Sequence, residues 1–383
     1  MLENKHFSPV FRPATGYKRR IKPHNKQQYT KMKKALKILI ITIASLLILN
    51  ILLVVVVDPF YHYHDSIVEP YVYSEVYQSP GMAKHFTYDT VMLGSSMTEN
   101  FRASWFNEYG QNAVKLSYSG ARSADIAALL NEIFKSGNNV SKIYIDVNDY
   151  QLTEEPTSRY GTVPEYLYDD NLLTDVQYIF NKDVVITALT MLFNKTDEKR
   201  GNIDEAFTWS EDTKYGAAYV TEDMNSNHEN QAWINTNASH RSSDEINDTI
   251  VRNLQNLIPF IEEHPETEFI FFYPPYSAAY WVNERMNENV DNKLTMYENS
   301  IEQLLNYDNA KVYFFMDDYE HIGDLDNYRD MCHFKPEINR YMLECMNDGR
   351  FLVKDASSLS ERLDELGKYV SDYEMPEITE YDE

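Results

Sequence analysis

The stretch Val91-Met92-Leu93-Gly94-Ser95-Ser96 runs as an apolar strand and stops at a glycine and two serines. Serine is favoured wherever a helix starts, so a cap is one reading of the pair. A nucleophile displayed at the carboxyl edge of a sheet is the other. A serine hydroxyl is a poor nucleophile unless a histidine takes its proton and an acid orients that histidine. The chain offers such an acid and base twice, as Asp318-Tyr319-Glu320-His321 and as Asp330-Met331-Cys332-His333. In both, the carboxylate and the imidazole can meet across one turn, so spacing does not choose between them. Context favours the second: Pro336 is suited to open a helix, which leaves His333 on the loop just before it.

Such groups need a scaffold, and the pattern around them supplies one. Strands are expected at Thr90–Leu93, Ala113–Ser117, Lys142–Val147, Glu268–Tyr273 and Lys311–Met316, with helices at Ser123–Lys135, Asp244–Glu263, Asn289–Leu305 and Pro336–Met346. Near-continuous β-branched and aromatic strands separated by helices imply a mostly parallel sheet covered on both faces. The fold class is therefore α/β, a doubly wound three-layer sandwich. The alternation breaks once, between Tyr150 and about Ser243, where Tyr, Asn and Asp dominate and only Leu172–Phe193 carries a weak helical pattern. An insertion of that length after a strand's carboxyl end is expected over the binding crevice, as a lid or substrate-recognition region.

Ile38 to Val57 is a run of twenty residues without a charge. At about 1.5 Å per residue a helix of that length spans roughly the 30 Å of a bilayer's hydrocarbon core. Residues 1–37 hold eleven Lys or Arg against one acid, whereas the whole 383-residue chain has a formal net charge of -25. Cationic flanks stay in the cytoplasm, so a basic tail inside and an acidic domain outside are expected. A cleaved signal peptide would have a shorter apolar core and close on small residues; here Asp58-Pro59-Phe60-Tyr61-His62 follows, and an uncleaved anchor is the reading. Beyond it we expect a juxtamembrane segment over 58–84, the exterior domain over 85–357, and a short helix with an acidic tail over 358–383. His62 and His64 are read as interfacial residues. Such an acidic exterior excludes nucleic acid as a partner, because phosphates require a basic surface. Two cysteines, Cys332 and Cys345, are too few for a disulfide framework. There is no zinc-type cysteine or histidine spacing.

Gly94-Ser95-Ser96 after the first strand and Asp330-x-x-His333 before the last helix together resemble the SGNH (GDSL-type) esterase and acyltransferase superfamily. That family places its serine third in a Gly-Asp-Ser block, and its membrane-anchored relatives in cell-envelope acylation commonly carry the Gly-Ser-Ser form. The resemblance implies Ser96 as nucleophile, His333 as base and Asp330 as the orienting acid. It further implies an oxyanion hole from the Ser96 N–H, from Gly120 after the second strand and from Asn148 after the third. Two positions depart from the pattern: Ser95 stands where the aspartate is usual, and Asp146 where a glycine usually precedes the asparagine by two.

What the resemblance implies about function is a membrane-anchored extracellular serine esterase or O-acyltransferase with an acyl-Ser96 intermediate, needing neither metal nor cofactor. Its relatives act beside a multi-span acyl-carrying membrane protein, in teichoic acid D-alanylation or polysaccharide O-acetylation in Gram-positive bacteria. From another class, the two departures are compatible with a noncatalytic SGNH-like scaffold or a glycan-binding partner of a membrane acyltransferase. The tyrosines around Tyr273-Pro274-Pro275-Tyr276 suit either a sugar-binding cleft or ordinary strand packing, and the second explains most of them.

Overall fold

A computed structural model describes residues 23–159, 163–196, 201–210, 213–226 and 243–376. Most of the basic amino-terminal tail, the end of the acidic tail and parts of the 150–243 insertion lie outside the described residues. The chain divides into two compact units between Leu52 and Leu53. The described part of the first is a single helix, α1, which runs over Pro23–Val57 into the second unit and is long and apolar enough to cross a membrane. Its side chains from Ile38 to Leu49 are largely exposed.

The second unit is built on five parallel strands in the order β2-β1-β3-β4-β5. They are β1 (Thr90–Gly94), β2 (Ala113–Ser117), β3 (Lys142–Asp146), β4 (Glu268–Tyr273) and β5 (Ala310–Phe314). All five lie within a residue or two of where their apolar runs predict them. Every residue of β1 is buried, because both faces of the sheet are covered. Leu93, Ile145, Phe271 and Phe314 fill the core completely out of reach of water. The strand order reverses direction between β1 and β3, and in open parallel sheets such a reversal opens a crevice beyond the carboxyl ends of the two strands. Ser95 and Ser96 follow β1 directly, and Val147 and Asn148 follow β3.

The helix at Ser123–Lys135 (α4 of this chain) matches its expected bounds. The expected helix over 244–263 is two, Ser243–Gln255 and Ile258–Glu263, broken where Pro259 opens the second. Proline removes a backbone donor, so the first helix cannot continue through it. The 58–84 segment is built into the domain through the helix Glu75–His85 (α2), which packs against β2 and α4. Gln78 inside it binds the backbone oxygens of Pro59 and Tyr71 at 3.0 and 2.7 Å. At the carboxyl end, Ala356–Asp372 forms a seventeen-residue helix whose Leu359, Leu363, Leu366 and Val370 join the main core. Its repeat of three to four residues between leucines is the ordinary mark of a helix with one buried face.

Candidate active site

β1 ends at Gly94, and a Cβ there would collide with the Asp146 carboxylate and approach Thr98 Cγ2 to 2.8 Å. Glycine therefore lets β1 and β3 come together at their ends. The next turn separates the two serines. Ser95 is the N-cap of the short helix Ser96–Glu99 (α3), accepts from the Met97 N–H and is fully buried. Ser96 begins the helix and is half-buried. As the first helical residue its N–H has no intrahelical acceptor. The cap reading therefore applies to Ser95, and the accessible hydroxyl is Ser96.

The carboxyl-side loop arrives from the other edge. Tyr328 and Phe334 form an isolated antiparallel bridge, the Arg329 N–H donates to His333 O at 3.0 Å, and the Lys335 N–H donates to Asn327 O at 2.9 Å. Ser277, capping the helix Ala278–Met286, donates through both N–H and Oγ to Met331 O at 2.9 Å. Pro336 opens the helix Pro336–Asp348 as expected, and Asn339 from that helix donates to Met97 O at 2.8 Å, tying it to α3. A hairpin pinned at this many points holds its side chains without help from substrate.

The result is a continuous hydrogen-bonded chain. Ser96 Oγ lies 2.9 Å from His333 Nε2, and His333 Nδ1 lies 2.8 and 3.0 Å from the two Asp330 oxygens. The backbone N–H groups of Cys332 and His333 also donate to Asp330 at 2.9 and 2.7 Å. Burial works to raise the Asp330 pKa, but the His333 ring and these N–H donors outweigh it and hold the carboxyl below its ordinary value. The ionised acid can thus orient the imidazole with Nε2 toward the serine. Arg329 Nε stands 3.4 Å from the same carboxylate.

Gly120 and Asn148 take different roles. Gly120 sits after β2 at φ 66°, a left-handed conformation suited to glycine, and a Cβ there would strike the Arg159 guanidinium. Asn148 is fully buried and its Nδ2 is directed at Asp146 Oδ2, 2.7 Å away, and Ser95 Oγ, 2.9 Å away, while its Oδ1 accepts from Tyr276 OH at 2.7 Å. An amide has two N–H donors. Asp146 Oδ2 and Ser95 Oγ are themselves hydrogen-bonded neighbours, so they lie in nearly one direction from Nδ2, and that edge of the amide braces the turn at Ser95.

The two departures from the family pattern face each other. Asp146, fully buried at the end of β3, accepts from the Ser95 N–H at 3.0 Å, from Ser95 Oγ in a short hydrogen bond, and from Asn148. Burial raises its pKa, and the hydrogen bonds from Ser95, Asn148 and Gln151 oppose that rise. A carboxylate that is usual beside the nucleophile comes here from the neighbouring strand.

Sequence reasoning missed Trp209. It comes from the 150–243 insertion, donates from Nε1 to Ser96 O at 3.2 Å, and sets its ring edge-on to His333 with centroids 5.4 Å apart. The Arg329 guanidinium lies over the Trp209 ring, 5.3 Å from its centroid. A lone tryptophan inside an irregular segment carries no periodic signal, so only the folded chain reveals it. Asp149, the first residue of the short helix Asp149–Thr153 (α5), was missed too. It accepts from Tyr280 OH and Tyr297 OH in short bonds and pairs with Lys293 at 2.5 Å. Tyr273 and Tyr276 are buried and bonded inside the protein, so they form no sugar-facing surface. His321 pairs with Asp318 at 2.8 Å and tilts against Tyr341 at 4.3 Å, with no hydrogen bond to either serine. Among the described residues no group of three or more His, Cys, Asp or Glu could hold a metal ion. Cys332 and Cys345 are both free thiols.

No protein-family model matches this chain, and no curated protein does. Among solved structures it is similar to one from Streptococcus pneumonia, provisionally named as a platelet activating factor, with a TM-score of 0.34 and 12% identity over 76% of this chain and 91% of the other. A likeness that distant carries no argument about activity.

Proposed function

We propose that this chain is a membrane-anchored serine esterase or O-acyltransferase of the SGNH type, acting on acyl esters of a cell-envelope polymer. The observation that carries the reading is the unbroken chain from Ser96 Oγ through His333 to Asp330. Ser96 Oγ attacks the ester carbonyl carbon while His333 Nε2 takes its proton. The carbonyl electron pair moves onto oxygen, where the N–H groups of Ser96 and Gly120 and the Asn148 amide are the proposed donors. Collapse expels the alcohol with the proton from His333 and leaves acyl-Ser96. Water or a polymer hydroxyl then attacks the acyl carbon by the same steps in reverse. Asp330 keeps the imidazole in the required tautomer throughout.

The polymer and its neighbours follow from family resemblance. A teichoic acid or polysaccharide is the substrate class, and a multi-span acyl-carrying membrane protein the partner. The charge asymmetry across Ile38–Val57 supports a basic tail in the cytoplasm and an acidic domain outside.

A fluorophosphonate probe applied to the full chain tests the catalytic reading, because an activated serine oxygen displaces fluoride from phosphorus far faster than an ordinary hydroxyl does. Labelling that is lost in Ser96→Ala and His333→Ala but kept in Ser95→Ala supports it. A second reading, a noncatalytic scaffold, draws on one observation: the Asn148 amide is engaged with Asp146 and Ser95 inside the protein. Absence of labelling in the wild-type chain would favour the scaffold.

A further inference from the structure

The helix α7 (Lys182–Phe193) carries no charge after Asp183 and is apolar on every side. Its inner face, Val184, Ala188 and Met191, is buried. The outer face repeats at helical spacing as Ile186, Leu189 and Phe193, exposed by 50, 41 and 79%. The short helix Val176–Ile179 (α6) packs against it, and the loop leading into α6 exposes Leu172 and Leu173 by 81 and 83%. A helix that is apolar all round is stable in water only when something covers both faces. Exposed apolar patches of this kind mark interaction sites.

What covers this one follows from what the inner face touches. Ala188 and Met191 cluster with Val57, and Leu53 packs against the same group; Val184 and Tyr178 cluster with Val54 and Phe60. Leu53, Val54 and Val57 are the last turn of the apolar run itself. The attachment is polar as well as apolar. Asp58 accepts from Tyr178 OH at 2.7 Å and from the N–H groups of His62, Tyr63 and His64, while His62 pairs with Asp175 at 3.1 Å. So α6 and α7 are clamped to the carboxyl end of the apolar run. Tyr63, Tyr73, Tyr77 and Tyr166 gather around that clamp. Tyrosine is enriched where a bilayer meets water. Exposed Lys182 and Lys195 bracket the outer face, offset by exposed Asp170 and Asp183. The patch is therefore close to neutral, and apolar burial rather than charge drives its contact.

We propose that the outer face of α7, with Leu172 and Leu173, lies in the lipid surface and forms a second membrane contact beside the anchor. It holds the domain in one orientation on the bilayer, with the insertion that carries Trp209 near the membrane. The inference rests on the reading of Ile38–Val57 as a membrane span.

Bimane-labelled cysteine variants of the full chain, made in a Cys332→Ser, Cys345→Ala background and reconstituted in phosphatidylcholine vesicles, test it. Labels go at Leu46, Leu173, Leu189 and Met286. Brominated lipid should lower emission about twofold or more at 46, 173 and 189 and spare 286, while aqueous iodide should do the opposite. If 46 is quenched by lipid but 173 and 189 only by iodide, the span stands and the second contact is wrong. Shielding of 173 and 189 from both quenchers means that a second copy of the chain covers the face, which also overturns the proposal. Iodide access at 46 removes the span, and the inference with it.

Discussion

The two Asp-x-x-His pairs are the same device in two places. In each, His Nδ1 lies 2.8 Å from an aspartate oxygen three residues earlier. Their surroundings differ. Nε2 of His333 meets the half-buried Ser96 hydroxyl, whereas the ring of His321 tilts against Tyr341. A three-residue spacing builds an acid-oriented base, but a third group brought from 237 residues away decides whether that base has a proton to take. Local pattern makes the pair, and the sheet's crevice gives one of the two a serine hydroxyl as partner.

The sharpest way to break this comparison is to remove each histidine. His333→Ala, like Ser96→Ala, should lower turnover of an aryl acetate by about 10⁴- to 10⁶-fold, the scale at which serine-triad members act together. His321→Ala should leave the rate within a factor of about three. Initial rates on the full chain in detergent check this, and equal losses at both histidines would end the distinction.

The acids come next. Asp330→Asn keeps the shape but removes the charge that selects the imidazole tautomer, and a loss of about 10³- to 10⁴-fold is expected. Asp318→Asn should have no comparable effect on rate. Nearly equal pH–rate profiles for wild type and Asp330→Asn would show that Asp330 does not set the base.

A smaller effect is expected where the nucleophile turn is braced. Asp146→Asn keeps the volume but weakens acceptance from the Ser95 N–H and Oγ, and kcat should fall by about 10- to 100-fold with KM little changed. Moving the carboxylate back, in the double variant Ser95→Asp with Asp146→Gly, should recover part of the loss relative to Asp146→Gly alone. No recovery would mean that the two positions act independently.

The smallest effect concerns His321 and stability. The hydrogen bond that His321 donates to Asp318 is the leading cause that raises the His321 pKa above its ordinary 6.5, against partial burial. A histidine with a raised folded-state pKa contributes stability that is fully present below the unfolded value and is lost as pH rises through the folded one. His321→Ala should therefore reduce the urea midpoint more at pH 5 than at pH 9. A pH-independent difference would show that stacking on Tyr341, not charge, is what His321 supplies.

The sequence alone determined the elements whose signal is local. Five apolar runs, a twenty-residue uncharged span and a proline placed to open a helix each depend on residues within a few positions of one another, so β1 to β5, α1 and the helix after His333 were all legible. The triad candidates were legible for the same reason, each lying at the edge of such an element. Tertiary structure decided what depends on groups distant in the chain. It buried Ser95 and left Ser96 accessible, because Asp146 reaches across from β3 to hold the former. It linked the Asn148 amide to that same carboxylate. It set Trp209 against His333 and clamped Tyr178 to Asp58, 120 residues earlier in the chain. No spacing rule reaches across such separations, because these contacts form only after the sheet has brought the loop ends together.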